Sequence, residues 1–178
     1  MKKERKTENT NPFPASSAEG REALRPDQVL SVKFSHGGYF EGVETIQAIR
    51  TNEGILLFAI PYHRSHRLPV RRVMSEKEWS RLLNCLFEEL HICGWEREYC
   101  DWRILDGEQW GLELRAAGNR SLRISGSNDY PPEWEALLRL FRPFLRECAP
   151  ADDSEEAYYE KYTEICNMMK TCRMMNAE

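Results

Sequence analysis

CDWRILDGEQWGLELRAAGNRSLRISGSNDYPPEW, residues Cys100–Trp134, holds three tryptophans, a run of carboxylates and a Gly-Ser-Asn loop. The span could be an active site or the framework of a small domain, and its periodicity favours framework. DWRIL alternates, Asp106-Gly107 is a two-residue hairpin signal, and EQWGLELRA alternates again with Trp110, Leu112 and Leu114 on one face. AGNR turns the chain and SLRIS returns it with Leu122 and Ile124 inward. Glu113 and Arg115 fall on the opposite face, where solvated charges belong. Three strands are expected, the first two joined by a type I′ turn at Asp106-Gly107. After GSNDYPP a helix is expected over 132–146, with a proline in its first turn and Trp134, Leu137, Leu138, Phe141 and Leu145 as its buried stripe. Pro143 removes a backbone donor and should kink or end that helix.

Upstream the same alternation recurs. VLSVKF places Leu30, Val32 and Phe34 on one side of a strand, SHGG reads as a turn, GVETIQAIR as a second strand, and ILLFAI as a third. The third is apolar on both faces, so it should be central or doubly covered. A loop, PYHRSHRLPVRRVM, leads to the clearest helix, 76–93. Ser75 and Glu78 form a capping box, and Trp79, Leu82, Leu83, Leu86, Phe87 and Leu90 make one stripe. Gly94 suits the left-handed residue that ends such a helix.

The fold class that follows is α+β: an antiparallel sheet of about six strands, as two three-stranded meanders, packed with two or three helices. EWSRLLNCL (78–86) and EWEALLRLF (133–141) share Glu-Trp-x-x-Leu-Leu, which fits either a βββα duplication or the common needs of two core helices. Residues 1–26 are polar with Pro12, Pro14 and Pro26 and read as a disordered tail. Residues 27–147 form a single domain. Residues 148–178 are a linker and an amphipathic helix whose seam is Tyr158, Tyr162, Ile165, Met169 and Cys172.

A chain of 178 residues suits one domain with its own core. The net charge of -4 argues against a surface built throughout for nucleic acid. No segment reaches the roughly 18 consecutive apolar residues of a membrane helix. The basic N-terminus lacks the apolar stretch of a secretion signal, so a cytoplasmic protein is expected, with its six cysteines as thiols.

Residues 94–145 resemble a family of uncharacterised small proteins from Gram-positive, often gut-dwelling, bacteria. The pattern is carried here by Trp95, Tyr99, Leu105, Asp106, Gly107, Trp110, Gly126, Ser127, Asn128, Tyr130, Pro131 and Trp134. The resemblance implies a shared domain and brings no activity with it.

Candidate chemistry is sparse. Cys85, His91, Cys93 and Cys100 lack the compact pairing of a zinc site, with Cys93 read as facing the core stripe and Cys85 away from it. No metal ligands are assigned. There is no Gly-x-Ser-x-Gly elbow and no glycine-rich phosphate loop, so no catalytic residue and no cofactor is expected. Ser125, Ser127 and Asn128 form a candidate anion or ligand loop; the plainer reading makes Asn128 and Asp129 helix caps. His63, Arg64, His66, Arg67, Arg71 and Arg72 form a basic loop with no acidic residue before Glu76, able to contact an acidic protein surface or phosphates. Four methionines and three tyrosines on the C-terminal helix make an adaptable apolar surface that docks on its own domain or pairs with another chain. The function expected is a cytoplasmic protein-binding module without catalysis, for example an immunity-type protein, with nucleic-acid binding through residues 62–72 as the alternative.

Overall fold

A computed structural model describes residues 24–38, 40–104, 106–150 and 155–175. The expected N-terminal tail lies outside the described residues save for its last three. The fold is α+β, with one seven-stranded sheet and three α-helices among the described residues. The strands are β1 (Val29–Gly38), β2 (Gly42–Thr51), β3 (Gly54–Ile60), β4 (Val70–Met74), β5 (Glu98–Cys100), β6 (Glu108–Ala116) and β7 (Arg120–Ser127). Their order is β4-β3-β2-β1-β6-β7-β5, antiparallel except for the β5–β7 pair.

Helices α1 (Glu76–Asn84) and α2 (Trp134–Arg146) cover one face. Their stripes meet Val32, Phe34, Ile46, Leu57, Leu112, Leu114 and Ile124 in the main core. Helix α3 (Glu155–Met175) lies on the other face, where Ile165 and Cys172 pack with Ile49, Phe58 and Ile60. Strand β3 is therefore buried on both sides, as its apolar run requires. The C-terminal helix docks on its own domain through Tyr158, Ile165 and Cys172, while Tyr162 is exposed. The outer face of β1, β6 and β7 carries Ser31, Lys33, Glu113, Arg115 and Arg123 instead of apolar side chains.

Several expectations are corrected. The described part of DWRIL, 101–104, is not a strand paired to β6, and Asp106-Gly107 is not a hairpin turn. Both neighbours of β6 are already taken, by β1 and β7, so the chain from β5 crosses the end of β7 to reach it. Gly107 gives the Asn128 side chain its space: a Cβ there would lie 1.7 Å from Asn128 Oδ1, and the amide would have to swing aside. VRRVM is a strand within the expected loop, so the first half is a four-stranded meander. The second half is a hairpin with a parallel edge strand, and the two halves are not copies. SHGG belongs to β1, not to a turn. A bulge between Val29 and Ser31 turns Val29, rather than Leu30, into the core.

The capping box forms as expected, with Glu78 N–H donating to Ser75 Oγ at 3.2 Å and Ser75 N–H to Glu78 Oε2 at 2.8 Å. The helix then loosens into a π-turn at Cys85–Glu89 and ends at His91, whose φ is 50°. Gly94 is not the left-handed residue, and Cys93 is exposed because the α-helix stops before it. Pro143 sits inside α2, which continues to Arg146, one short turn further. Asn128 and Asp129 do not cap α2; its N-cap is Glu133, with no side-chain cap bond.

Candidate functional site

The long β1–β2 hairpin sets the site. His36 follows Val32 and Phe34 on the inward face of β1, and the register places it opposite Glu44 on β2. Two pairs further along, Gly38 meets Glu108 on β6. Cross-strand neighbours on one face lie within side-chain reach, so His36 stands between two carboxylates. Its Nδ1 is 3.4 Å from Glu44 Oε1 and its Nε2 is 3.4 Å from Glu108 Oε2. Tyr130 donates to Glu108 Oε2 at 2.8 Å, and the Tyr62 hydroxyl is 3.5 Å from His36 Nδ1.

His36 and Glu44 are buried. The hydrogen bond to Glu44, followed by that to Glu108, holds the His36 pKa above its ordinary value against the opposing effect of burial. The Tyr130 hydroxyl, and then His36, hold Glu108 below the carboxylate range. Burial pushes Tyr62 and Tyr130 up to about 12, so both stay protonated. With both ring nitrogens engaged, His36 has no free nitrogen for general base work. The arrangement suits a proton-dependent clasp joining β1, β2, β6 and the segment before α2.

Beside the clasp stands an aromatic stack. His36 meets Trp134 at 5.4 Å between ring centroids, Trp134 meets Tyr130 at 4.8 Å and Trp110 at 5.1 Å, and Trp110 meets Tyr99 at 5.7 Å. Trp110 Nε1 donates to the Asp129 carbonyl at 2.9 Å. Most aromatic residues of the Trp95–Trp134 pattern thus join strands and loops at this end of the sheet. They are framework.

At the same end of the sheet lie large exposed apolar side chains. Phe40 is 74% exposed, Val43 54%, Trp102 81% and Ile104 47%. Phe40 is in the β1–β2 turn and Val43 follows it, while Trp102 and Ile104 are in the segment from β5 to β6. The register Gly38↔Glu108 puts that turn and the start of β6 at the same end of the sheet. Asp101–Arg103 pair at 2.7 Å, and Glu41 and Asp106 are exposed around the rim. The sequence signal for His36 was its parity with Val32 and Phe34. The apolar tip was legible only as hydrophobes in loops.

The basic loop is drawn partly into the fold. His63 stacks near Tyr158 and Tyr159, and its Nε2 is 3.7 Å from Glu155 on α3. Arg67 Nη1 donates to the Leu145 carbonyl at 3.3 Å, at the C-terminal end of α2. Arg72 reaches Glu78 at 2.8 Å and Glu147 at 3.0 Å through Nη2. His66 is left-handed, with φ 53°. Arg64 and Arg71 are exposed. Ser125, Ser127 and Asn128 lie in β7 and just after it, not at a helix N-terminus. Asn128 N–H donates to the Glu108 carbonyl at 3.0 Å and its amide to Ser127 Oγ at 3.4 Å. Among the described residues no three His, Cys, Asp or Glu side chains converge as metal ligands would, and no helix is long and apolar enough to cross a membrane. Neither a model of a known protein family nor a curated protein sequence matches this chain.

Proposed function

We propose that this chain is a protein-binding module that grips its partner with the apolar end of the sheet. The observation that carries the reading is that Phe40 and Val43, in and just after the β1–β2 turn, and Trp102 and Ile104, between β5 and β6, are all exposed in segments that the strand register brings to one end of the sheet. Large exposed aromatic and aliphatic side chains on a rigid frame are what interface centres are made of. The stack behind them keeps the loops in place, so little ordering cost is left for binding. The exposed rim residues Glu41 and Asp106 favour a partner with an apolar centre and basic edges. A toxin-neutralising immunity protein, working in the cytoplasm, is one form of this reading by analogy of size and acidity. Nucleic-acid binding through residues 62–72 has less support, because Arg67 and Arg72 are engaged within the fold.

The test is affinity capture from the native lysate with three baits: the natural chain, F40S/W102S, and R64Q/R71Q. Each is run with and without nuclease. One protein recovered by the natural chain and by R64Q/R71Q, insensitive to nuclease and lost with F40S/W102S, supports the reading. Recovery abolished by nuclease, or lost only with R64Q/R71Q, overturns it.

A further inference from the structure

His36 stands where the two sides of the apolar end meet. Phe40 and Val43 belong to the tip of the β1–β2 hairpin, just beyond the pair His36 and Glu44. Glu108 is the first residue of β6, directly after the segment that carries Trp102 and Ile104. That segment is tied at one end by Asp101 N–H, which donates to the Ser127 carbonyl at 3.0 Å, and at the other by the pairing of Glu108 with Gly38. The contact of His36 Nε2 with Glu108 at 3.4 Å joins hairpin and segment through side chains.

An imidazolium donates from both ring nitrogens, whereas a neutral imidazole keeps one N–H. Glu44 is buried and, among the described residues, takes its hydrogen bond from His36. Glu108 is half in solvent and also accepts from Tyr130 at 2.8 Å. A buried carboxylate without a partner costs more than a half-exposed one that can turn to water. The last N–H therefore stays on Nδ1, toward Glu44, and the lone pair of Nε2 is left facing the Glu108 carboxylate. Tyr62, 3.5 Å from Nδ1, would donate to a bare nitrogen there only by stripping Glu44. Among the other charges at this end, Glu41 and Arg142 act on Tyr62 and Asp129 acts on Tyr130. Phe34 and Trp134 flank the ring itself.

We propose that His36 is a proton switch for the apolar end: with the proton bound it holds the β1–β2 hairpin and the segment between β5 and β6 in one arrangement, and with the proton lost Glu108 turns outward and the two sides move independently. The closed arrangement is the one a partner grips, a step that rests on the reading of this end as a binding surface. The hydrogen bonds to Glu44 and Glu108 raise the histidine above its ordinary 6.5, so the switch is closed below 6.5 and opens as pH rises through the folded value. Glu108 stays charged throughout, because its own pKa is held below 4.5.

The experiment is a pH titration of the full chain by nuclear magnetic resonance across a range that spans 6.5, following the His36 Cε1–H, the Trp102 indole N–H and the Ile104 methyl signals. In the natural chain all three should move with one midpoint, above 6.5. The nearby Cys100 thiol is raised above its ordinary 9.0 and titrates separately. In Glu108→Gln, His36 still titrates against Glu44 while the Trp102 and Ile104 signals stay in place. That variant keeps the histidine, so the test holds even if His36→Gln folds poorly. Trp102 and Ile104 signals that ignore the His36 titration, or that follow it equally in Glu108→Gln, overturn the proposal. The binding step is read on the protein recovered by affinity capture. Its affinity for the natural chain should fall roughly tenfold through the same midpoint, the scale of one charged hydrogen bond, and stay level for Glu108→Gln. A level affinity for the natural chain overturns that step. If no protein is recovered at any pH, the reading of the apolar end as a binding surface falls, and the resonance titration still decides the switch.

Discussion

Trp110 and Gly126 are direct partners across β6 and β7, and a Cβ on residue 126 would lie 2.1 Å from Trp110 Nε1. The indole uses the space a side chain would need. It is also fixed by its donation to the Asp129 carbonyl at 2.9 Å. Glycine is required there by close approach, not by backbone angle.

Gly126→Ala must therefore move the ring and strain or break that hydrogen bond. Overpacking with loss of a buried bond costs about 2–4 kcal/mol. Urea unfolding measures it, with the shift read from the midpoint at unchanged slope. A loss below about 0.5 kcal/mol, the range of an ordinary surface change, would mean the indole is free to move.

Strands β1, β2, β3, β6 and β7, the capping box and the stripes of all three helices were legible because each is a local periodicity. What escaped depends on pairing. Strand β5 is three residues long and is held by a neighbour more than twenty positions away in sequence. Strand β4 is five residues long, directly follows Pro69 and carries two arginines. His36, Glu44 and Glu108 are unremarkable one by one, and only the register of β1 with β2 and β6 brings them together. Fixing that register needed β1 to run past Phe34 to Gly38, where two glycines look like a turn.

The clasp at His36 makes stability depend on pH. Its pKa is raised in the folded chain, so its contribution is complete below the ordinary value of 6.5 and is lost as pH rises through the folded value. Glu108 has a lowered pKa, so its contribution is complete above the ordinary 4.5 and lost as pH falls through the folded value. Stability should be greatest between those ordinary values and decline on the alkaline side. Thermal unfolding of the natural chain and of His36→Gln across this range checks it. If the two curves keep a constant separation above pH 6.5, the histidine is not the group responsible.

Helix α3 is held by a short list of side chains. Ile165 is fully buried against Ile49, Phe58 and Ile60, whereas Tyr162 is 40% exposed and stacks only along its own helix on Tyr158. Ile165→Ala should cost about 2–4 kcal/mol and Tyr162→Ala under about 1 kcal/mol. Limited proteolysis should cut within α3 sooner in the isoleucine variant. Equal effects from both substitutions would place the helix seam elsewhere.

The arginines of residues 62–72 separate by whether the fold employs them. Arg72 joins β4 to Glu78 of α1 and to Glu147 just past α2, and its side chain is partly shielded. Arg67 caps the carbonyls at the end of α2. Arg72→Ala and Arg67→Ala should each lower stability by roughly 1 kcal/mol, the scale of an exposed network or a cap. The Arg72 effect should shrink in high salt, since part of it is ionic. Arg64→Gln and Arg71→Gln should leave the unfolding midpoint where it was. Comparing these variants by chemical unfolding at low and high salt tells a structural loop from a binding one. A loss from Arg64→Gln or Arg71→Gln as large as that from Arg72→Ala would refute the division.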